Sequence, residues 1–514
     1  MDTYDEIPYQ STPFPETHPA SMAALGRLFG VATPDPAHCR VLELGCAAGG
    51  NLVPIAWQLP GAECVGIELS ARQVAEGEDL IKATGLTNVS IRQGDIALLD
   101  GSLGQFDYII THGVYSWVPA SVRENLLALC RTLLSPNGIA YISYNTLPGW
   151  RMRGVLRDML LENTRDAVGP RAKLEAAHAF LGFLDEALRD LDALTARYLK
   201  HEIEYLRRAH PSYLYHEYLE TVNEPFWFNQ FVDDADRHGL QYLCDTDLHM
   251  SFPSVLGERV ERLFVGIEDL FERERRLDYI RLRNFRQSLL VHTEVERFRD
   301  PSMQVFETFA FAADLVPPKA PDFKRAKSQS FAKADGAAVP VHHPLTKAAL
   351  IHLGERFPDS LAFAELLALA QHTVKQGGGV PFAAQIEHLG SELFSLFAHH
   401  FVMAEPSARS LAPGPVEHPL ATPLARHQAV SGQLATIRHK TLALDAFGCH
   451  LLALCDGTRN AEQLAATIMK ALDSGTLAPP GPLERQPEKR LRQVALNVRL
   501  LLGLFARQGV VTAA

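Results

Sequence analysis

The chain contains no C-x-x-C pair. Its seven cysteines, Cys39, Cys46, Cys64, Cys130, Cys244, Cys449 and Cys455, are odd in number and scattered. That excludes a disulfide framework and a thiolate zinc site, and fits reduced thiols in a cytoplasmic protein. No apolar run approaches the roughly 18–20 residues that a bilayer span requires, so membrane insertion is not expected. The N-terminus, MDTYDEIPYQ, has neither a basic region nor an apolar one, and no secretory signal is read there. Positive charge is in deficit: 49 Lys and Arg stand against 60 Asp and Glu, a net charge of −11. Such a chain repels phosphate backbones on average, so no nucleic-acid partner is expected. Among 21 His, the adjacent pairs His342-His343 and His399-His400 have no carboxylate or Cys at ligand spacing, and no metal is expected.

What is present is ample globular material. The apolar fraction is 47% and the charged fraction 21% over 514 residues, which implies roughly three or four domains. In residues 1–150, short apolar strands at 40–44, 63–68, 88–92, 106–111 and 138–143 alternate with amphipathic helical stretches. That pattern predicts an α/β fold, an open doubly wound Rossmann-like parallel sheet covered on both faces. Residues 151–305 read as a helical middle region. Within it, 224–246 (EPFWFNQFVDDADRHGLQYLCDT) reads either as a helix and strand returning to the sheet or as part of an independent helical domain. A long charged helix is predicted over 257–297. Residues 306–344, rich in Pro, Ala and Lys, read as a linker. Residues 345–403 and 424–514 each carry helix-turn-helix patterns, the second closing on Val510-Val511. Both are expected to be winged-helix-like. Lys and Arg are sparse on the second helix of the last unit, which favours a protein partner over DNA.

Three signals carry chemistry. Glu43-Leu44-Gly45-Cys46-Ala47-Ala48-Gly49-Gly50-Asn51 sits where strand one meets its helix, and Gly45, Ala47 and Gly49 leave room for a ligand against the backbone. The spacing is neither G-x-G-x-x-G nor a P-loop, so a pyrophosphate or triphosphate is not the obvious ligand. Glu68, followed by Leu69, closes strand two, where a carboxylate can accept from both ribose hydroxyls. Gly94-Asp95-Ile96 follows strand three, and suits an adenine amino group with its ring against an apolar side chain. All lie at C-terminal strand ends, the binding edge of such a sheet. A nucleoside without phosphates, S-adenosyl-L-methionine (SAM), fits the set.

With these residues in register the chain resembles class I SAM-dependent methyltransferases. YDEIPYQSTPFPETHP (4–19), LELGCAAGGNL (42–52), THGVYSWVP (111–119), SYNTLPGW (143–150), the stretch 213–243 and DGTR (456–459) resemble the group that carries a methyltransferase regulatory domain. Ala47 stands where many class I enzymes have Gly, and keeps the position small. Residues 312–440 match least. The resemblance implies a SAM domain, a helical middle region and a winged-helix-like C-terminal domain, as in bacterial outer-membrane-protein lysine methyltransferases, which look like dimers. The cofactor-binding candidates are Glu43, Gly45, Cys46, Ala47, Gly49, Asn51, Glu68, Leu69, Asp95, Ile96 and His112.

The acceptor is read from strands four and five. The Asn/Asp-Pro-Pro-aromatic motif of amino-adenine and glutamine-amide methyltransferases is absent from His112-Gly113-Val114-Tyr115-Ser116-Trp117. Trp117 and Trp150 fall on catalytic-edge loops. They form either an aromatic slot for an alkylammonium, worth about 0.5–2 kcal/mol by cation–π attraction, or a hydrophobic lid. The catalytic candidates are His112, Tyr115, Trp117 and Tyr144, and Tyr4 and Tyr9 are candidates to close over the cofactor. The expected function is SAM-dependent N-methylation of lysine in a protein or peptide substrate, with a homodimer implied by the resemblance. A small-molecule methyltransferase and a SAM-binding regulatory protein without turnover are the alternatives. Because every cofactor motif precedes Val305, a chain ended there is expected to keep its sheet and cofactor site.

Overall fold

Seven strands form one sheet in the computed structural model, which describes residues 3–380, 385–412, 414 and 416–513. They are β1 (Arg40–Leu44), β2 (Glu63–Glu68), β3 (Val89–Gln93), β4 (Phe106–Thr111), β5 (Leu134–Asn145), β6 (Leu240–Asp245) and β7 (Phe285–His292). The order is β3-β2-β1-β4-β5-β7-β6. Strands β1 to β5 are parallel, and β7 runs antiparallel to both its neighbours. Helices at Leu52–Gln58, Ala71–Thr84, Ala120–Leu133 and Phe228–Arg237 follow strands or precede them, as the alternating pattern requires. Both faces are therefore covered, and Val41, Leu42 and Leu44 of β1 are fully buried. Strand order reverses on either side of β1, which opens a crevice beyond the C-terminal ends of β1, β2 and β4.

Residues 224–246 do return to the sheet, as the helix Phe228–Arg237 and strand β6. The sequence missed β7. Its residues FRQSLLVH lie inside the stretch 257–297 predicted as one charged helix, which is instead two short helices, Glu258–Phe264 and Leu270–Arg281, and a strand. The reason is electrostatic. Arg286 of β7 is fully buried, yet its guanidinium donates to Asp245 Oδ2 at 2.6 Å, Asp278 Oδ1 at 2.8 Å and Glu274 Oε2 at 3.1 Å. A buried charge survives only when paired in this way. In the sequence Glu274, Asp278 and Arg286 look like a solvated helix face.

The helical middle is an insertion after β5: Trp150–Asn163, Pro170–Leu188, Leu194–Arg208 and Pro211–Tyr218 pack around Leu156, Leu160, Leu181, Ile203, Leu206 and Leu214. Ile7 joins this cluster, so the N-terminal segment is pinned beneath the insertion. Further on, the segment 306–344 is not a structureless linker. It supplies strand Ala310–Ala312, which lies between Leu361–Ala362 and Met403–Glu405, and a hairpin, Gln329–Ala332 with Ala338–Val341. Three helices, Pro344–Arg356, Phe363–Gln376 and Gln385–Ala398, complete that unit. The last unit pairs Pro419–Ala421 with Val511–Ala513 and carries the helices Ala446–Leu454, Ala461–Asp473 and Pro487–Arg507. Asn460 caps the second of these with a capping box.

One hydrophobic cluster runs from Leu25, Val41 and Ile139 of the first domain through Leu289 and Val291 to Phe306, Phe311, Leu345, Leu393 and Leu424. The structure weighs against the expectation that a chain ended near Val305 keeps its sheet: the cut passes through a shared core. Each large side chain left without its partners costs about 2–5 kcal/mol, against a total stability of about 5–15 kcal/mol. A chain ending at Val305 should show no cooperative melt by circular dichroism. A sharp melt close to that of the full chain would contradict the shared core.

Candidate cofactor and acceptor site

The crevice at the reversal of strand order deepens into a cavity of about 790 Å³. Ten of the named candidates line it: Glu43, Gly45, Cys46, Ala47, Asn51, Glu68, Leu69, Asp95, Ile96 and His112. Trp117 and Trp150 line it as well. Gly49 does not. It takes φ +74 where a Cβ would sit 2.6 Å from Ile91 Cδ1, so it serves the turn and not the ligand. Tyr115 and Tyr144 are also turned away. Tyr115 is buried with its hydroxyl 3.1 Å from Asp234 Oδ2, and Tyr144 stacks on Phe231 with ring centroids 4.1 Å apart. Both belong to the core between the sheet and the helix Phe228–Arg237, which removes them as amine acceptors. Tyr4 lies outside the described side chains, whereas Tyr9 lines the cavity.

The cofactor end is built from strand-end carboxylates held by backbone. Glu68 Oε2 accepts from Ala47 N at 2.8 Å and Oε1 from Ser70 N at 3.0 Å, which aims the carboxylate across the crevice. Ala47 takes φ 49, a left-handed conformation tolerated here with its N–H held by Glu68. Gly45 takes φ +73, and a Cβ there would stand 2.7 Å from Val114 Cγ2. Asp95 Oδ1 caps the turn Ile96–Leu98 through Ala97 N at 2.8 Å.

Beside them, Glu43 Oε1 accepts from Asn51 Nδ2 at 2.9 Å, while its buried Oε2 has no hydrogen-bond partner among the described residues. Burial, together with nearby Glu68, pushes the Glu43 carboxyl up to about 8 against the opposing hydrogen bond from Asn51. An orphaned acidic oxygen at the cavity wall fits a cationic amino-acid group. Burial holds His112 neutral, pulled down to about 4. Its Nδ1 lies 2.8 Å from Tyr141 Oη and its ring stacks on Phe14 at 3.7 Å.

Asn51 does more than its motif suggests. Its Oδ1 accepts from Phe14 N at 2.9 Å and from Thr17 Oγ1 at 3.1 Å, and His439 Nε2 lies 2.8 Å away. Burial holds His439 neutral, pulled down to about 3, and it takes φ 54. A residue of the last unit thus reaches the cofactor loop. A second junction joins the units: Asp247 Oδ1 lies 2.5 Å from His249 Nδ1 and 2.8 Å from His400 Nε2. Sequence spacing shows no carboxylate beside His400, and the fold supplies one, Asp247, from 153 residues away.

The far end of the cavity is aromatic. Trp117 and Trp150 meet edge to face at 6.2 Å. Tyr9, Tyr205, Tyr213, His216, Glu217 and Arg153 close the chamber from the N-terminal segment and the helical insertion. Sequence reasoning did not name the last five. The one local trace was the spacing of Tyr213, His216 and Glu217, which share a helix face at i, i+3 and i+4.

A mixed sheet with this strand order, a switch-point crevice and a backbone-held carboxylate at the end of β2 define a class I SAM-dependent methyltransferase. Comparison with known proteins agrees. Residues 41–138 match the methyltransferase domain family, 210–292 the predicted methyltransferase regulatory domain, and 417–510 the PKMT C-terminal winged helix domain. The Rickettsia prowazekii protein RP789 is 30% identical over 499 residues, 95% of this chain and 88% of that one. The structure of PKMT2 from Rickettsia typhi in complex with AdoHcy superposes with a TM-score of 0.86 at 26% identity, covering 98% of this chain and 100% of that one. The chain belongs to the SAM-dependent methyltransferases that carry a methyltransferase regulatory domain and a PKMT winged helix. SAM is its cofactor. Among the described residues no helix is long and apolar enough to cross a membrane.

Three outcomes follow for affinity. Glu68→Ala removes a charged acceptor and should weaken SAM binding about 10- to 150-fold by calorimetry, and Gly45→Val should abolish it. Undiminished binding by Glu68→Ala would remove that residue from the ribose site. His439→Ala should weaken SAM binding about 2- to 12-fold, the worth of one net hydrogen bond. An affinity equal to the parent's would show that the contact is packing alone.

Proposed function

We propose that the chain is a protein N-methyltransferase acting on lysine side chains. The observation that carries this reading is the continuity of one cavity from the ribose carboxylate Glu68 to an aromatic chamber walled by Trp117, Trp150, Tyr9, Tyr205 and Tyr213. SAM supplies a methyl on a sulfonium when bound. The chain's own part is placement. Indole and phenol faces hold an alkylammonium by cation–π attraction. Their bulk excludes water and aligns the nitrogen for in-line attack. Lysine must arrive at the methyl as a neutral amine, and an apolar wall lowers its pKa from about 10.4.

The PKMT winged helix and the likeness to PKMT2 support a polypeptide acceptor. We take the catalytic sheet as 1–150 with 224–292, the helical cap as 151–223, and the units 306–403 and 417–514 as the surface that presents the substrate protein. A homodimer belongs to the same proposal; Phe183 and Leu194 on the insertion are 64% and 84% exposed and offer an apolar face. A cytoplasmic location is supported by seven free cysteines.

The test is transfer of labelled methyl from SAM into a lysate separated into protein and small-molecule fractions. Label should enter protein, and acid hydrolysis should recover it as methyllysine. Label confined to small molecules would favour a metabolite acceptor, and no label at all a SAM-binding regulator. Trp117→Ala should spare SAM affinity and cut turnover at least tenfold, since small displacements are costly for in-line transfer. If Trp117→Ala instead melts far lower while its folded fraction turns over normally, Trp117 is packing and not a wall of the slot.

A further inference from the structure

The aromatic chamber holds one acid whose purpose the cofactor does not explain. Glu217 lies on the helix Pro211–Tyr218, on the same face as Tyr213 and His216, and lines the chamber. The other polar groups around it are committed. His216 places Nδ1 3.0 Å from Glu220 Oε1 and Nε2 2.6 Å from the Ile7 carbonyl. Arg153 donates to Tyr213 Oη at 3.3 Å and lies 3.8 Å from Glu202 Oε2. Tyr218 donates to Glu202 at 3.2 Å, and Arg157 donates to the Glu220 carbonyl. Glu217 makes no hydrogen bond or ion pair among the described residues. At the other end of the cavity, Glu43 and Glu68 serve the cofactor loop.

We infer that Glu217 receives the acceptor amine: its carboxylate pairs with the incoming lysine ammonium at the aromatic end of the cavity and takes its proton before methyl transfer. This deepens the lysine reading above and rests on it. The step balances. One N–H bond of the ammonium breaks and its proton goes to the Glu217 carboxylate. The freed nitrogen lone pair forms the new N–CH3 bond as the S–CH3 bond breaks and its electron pair returns to sulfur. The products are a methylammonium, neutral AdoHcy and a protonated Glu217, with total charge unchanged at +1. Aromatic walls alone would hold any cation, including a quaternary one. A carboxylate beside them selects an ammonium with a proton to give.

The electrostatics around Glu217 suit that role. Burial raises its carboxyl, Arg153 and Arg157 oppose the rise, and the result is about 7. From the N-terminal segment Tyr9 faces it. From the insertion come Arg153, Arg157, Glu202 and Tyr205, and from its own helix and beyond Tyr213, His216, Tyr218 and Glu220. Tyr9 and Tyr213 are pushed up chiefly by burial and next by the Glu217 charge, so both stay protonated beside it. A raised carboxyl is ionised only above its own titration. The acidic limb of kcat/KM should therefore lie near pH 7 and reflect the loss of the base as pH falls.

The experiment uses the full chain saturated with AdoHcy and titrated calorimetrically with N-acetyl-lysine methylamide, with N-acetyl-norleucine methylamide as the uncharged control. Glu217→Gln should lose about 10- to 150-fold in affinity for the lysine probe, keep its affinity for the norleucine probe and for AdoHcy, and melt like the parent. On the protein fraction that accepts label, the acidic limb near pH 7 should vanish in Glu217→Gln and return, at lower rate, in Glu217→Asp. Equal lysine-probe affinity in parent and Glu217→Gln, or an unchanged acidic limb, overturns the assignment while the lysine reading stands. A parent that binds AdoHcy but neither binds the lysine probe nor methylates lysine overturns both.

Discussion

The carboxamide of Asn51 is the point on which the site depends. One small side chain gives a hydrogen bond to Glu43 and gathers Phe14 N, Thr17 Oγ1 and His439 Nε2 on its oxygen. Those partners come from β1, the N-terminal segment and the last winged-helix unit. A buried amide with all partners present fixes a single arrangement, and one with a partner missing is costly in a medium of low polarity. The cofactor loop, the segment that covers it and the tail are therefore set together. The sequence separates Asn51 from His439 by 388 residues, and the fold removes that distance.

The sheet imposes a second constraint. Seven strands end with β7 reversed between β5 and β6, and the charge of Arg286 has to be buried for that strand to fit. Asp245, Glu274 and Asp278 answer it from β6 and from the helix Leu270–Arg281. The edge of the sheet thereby carries the return of the chain from the helical insertion. That insertion brings Tyr213, His216 and Glu217 back over the C-terminal ends of the strands, so a cofactor crevice becomes a two-chambered cavity.

The parts legible from sequence are those in which backbone and function share a few adjacent residues. The loop 43–51, Glu68 and Asp95 sit at strand ends, and strand ends show in the apolar pattern. Facing is another matter. Tyr144 and Asn145 are neighbours, and a strand turns them to opposite sides, so that Asn145 lines the cavity and Tyr144 stacks on Phe231. Likewise one short turn, Tyr115–Trp117, sends Trp117 to the cavity and Tyr115 to the core. Composition gave the right residue types without the face. β7 was hidden because charges that read as solvent-facing are paired in the interior. The segment 306–344 was hidden because its strands are only three or four residues long, too short to show a periodicity of their own, and Ala310–Ala312 pairs only with distant partners. Glu217, Arg153 and His439 lie on elements whose position above the sheet no local pattern announces.

The account stands on one geometry, a cofactor whose methyl faces the aromatic chamber. A crystal structure of the full chain with AdoHcy tests it most directly. The account predicts the ribose hydroxyls within hydrogen-bonding distance of the Glu68 carboxylate, the amino group beside Glu43, and the sulfur turned toward the gap between Trp117 and Trp150. A sulfur turned away from that gap, or a ribose held elsewhere than at Glu68, would contradict it.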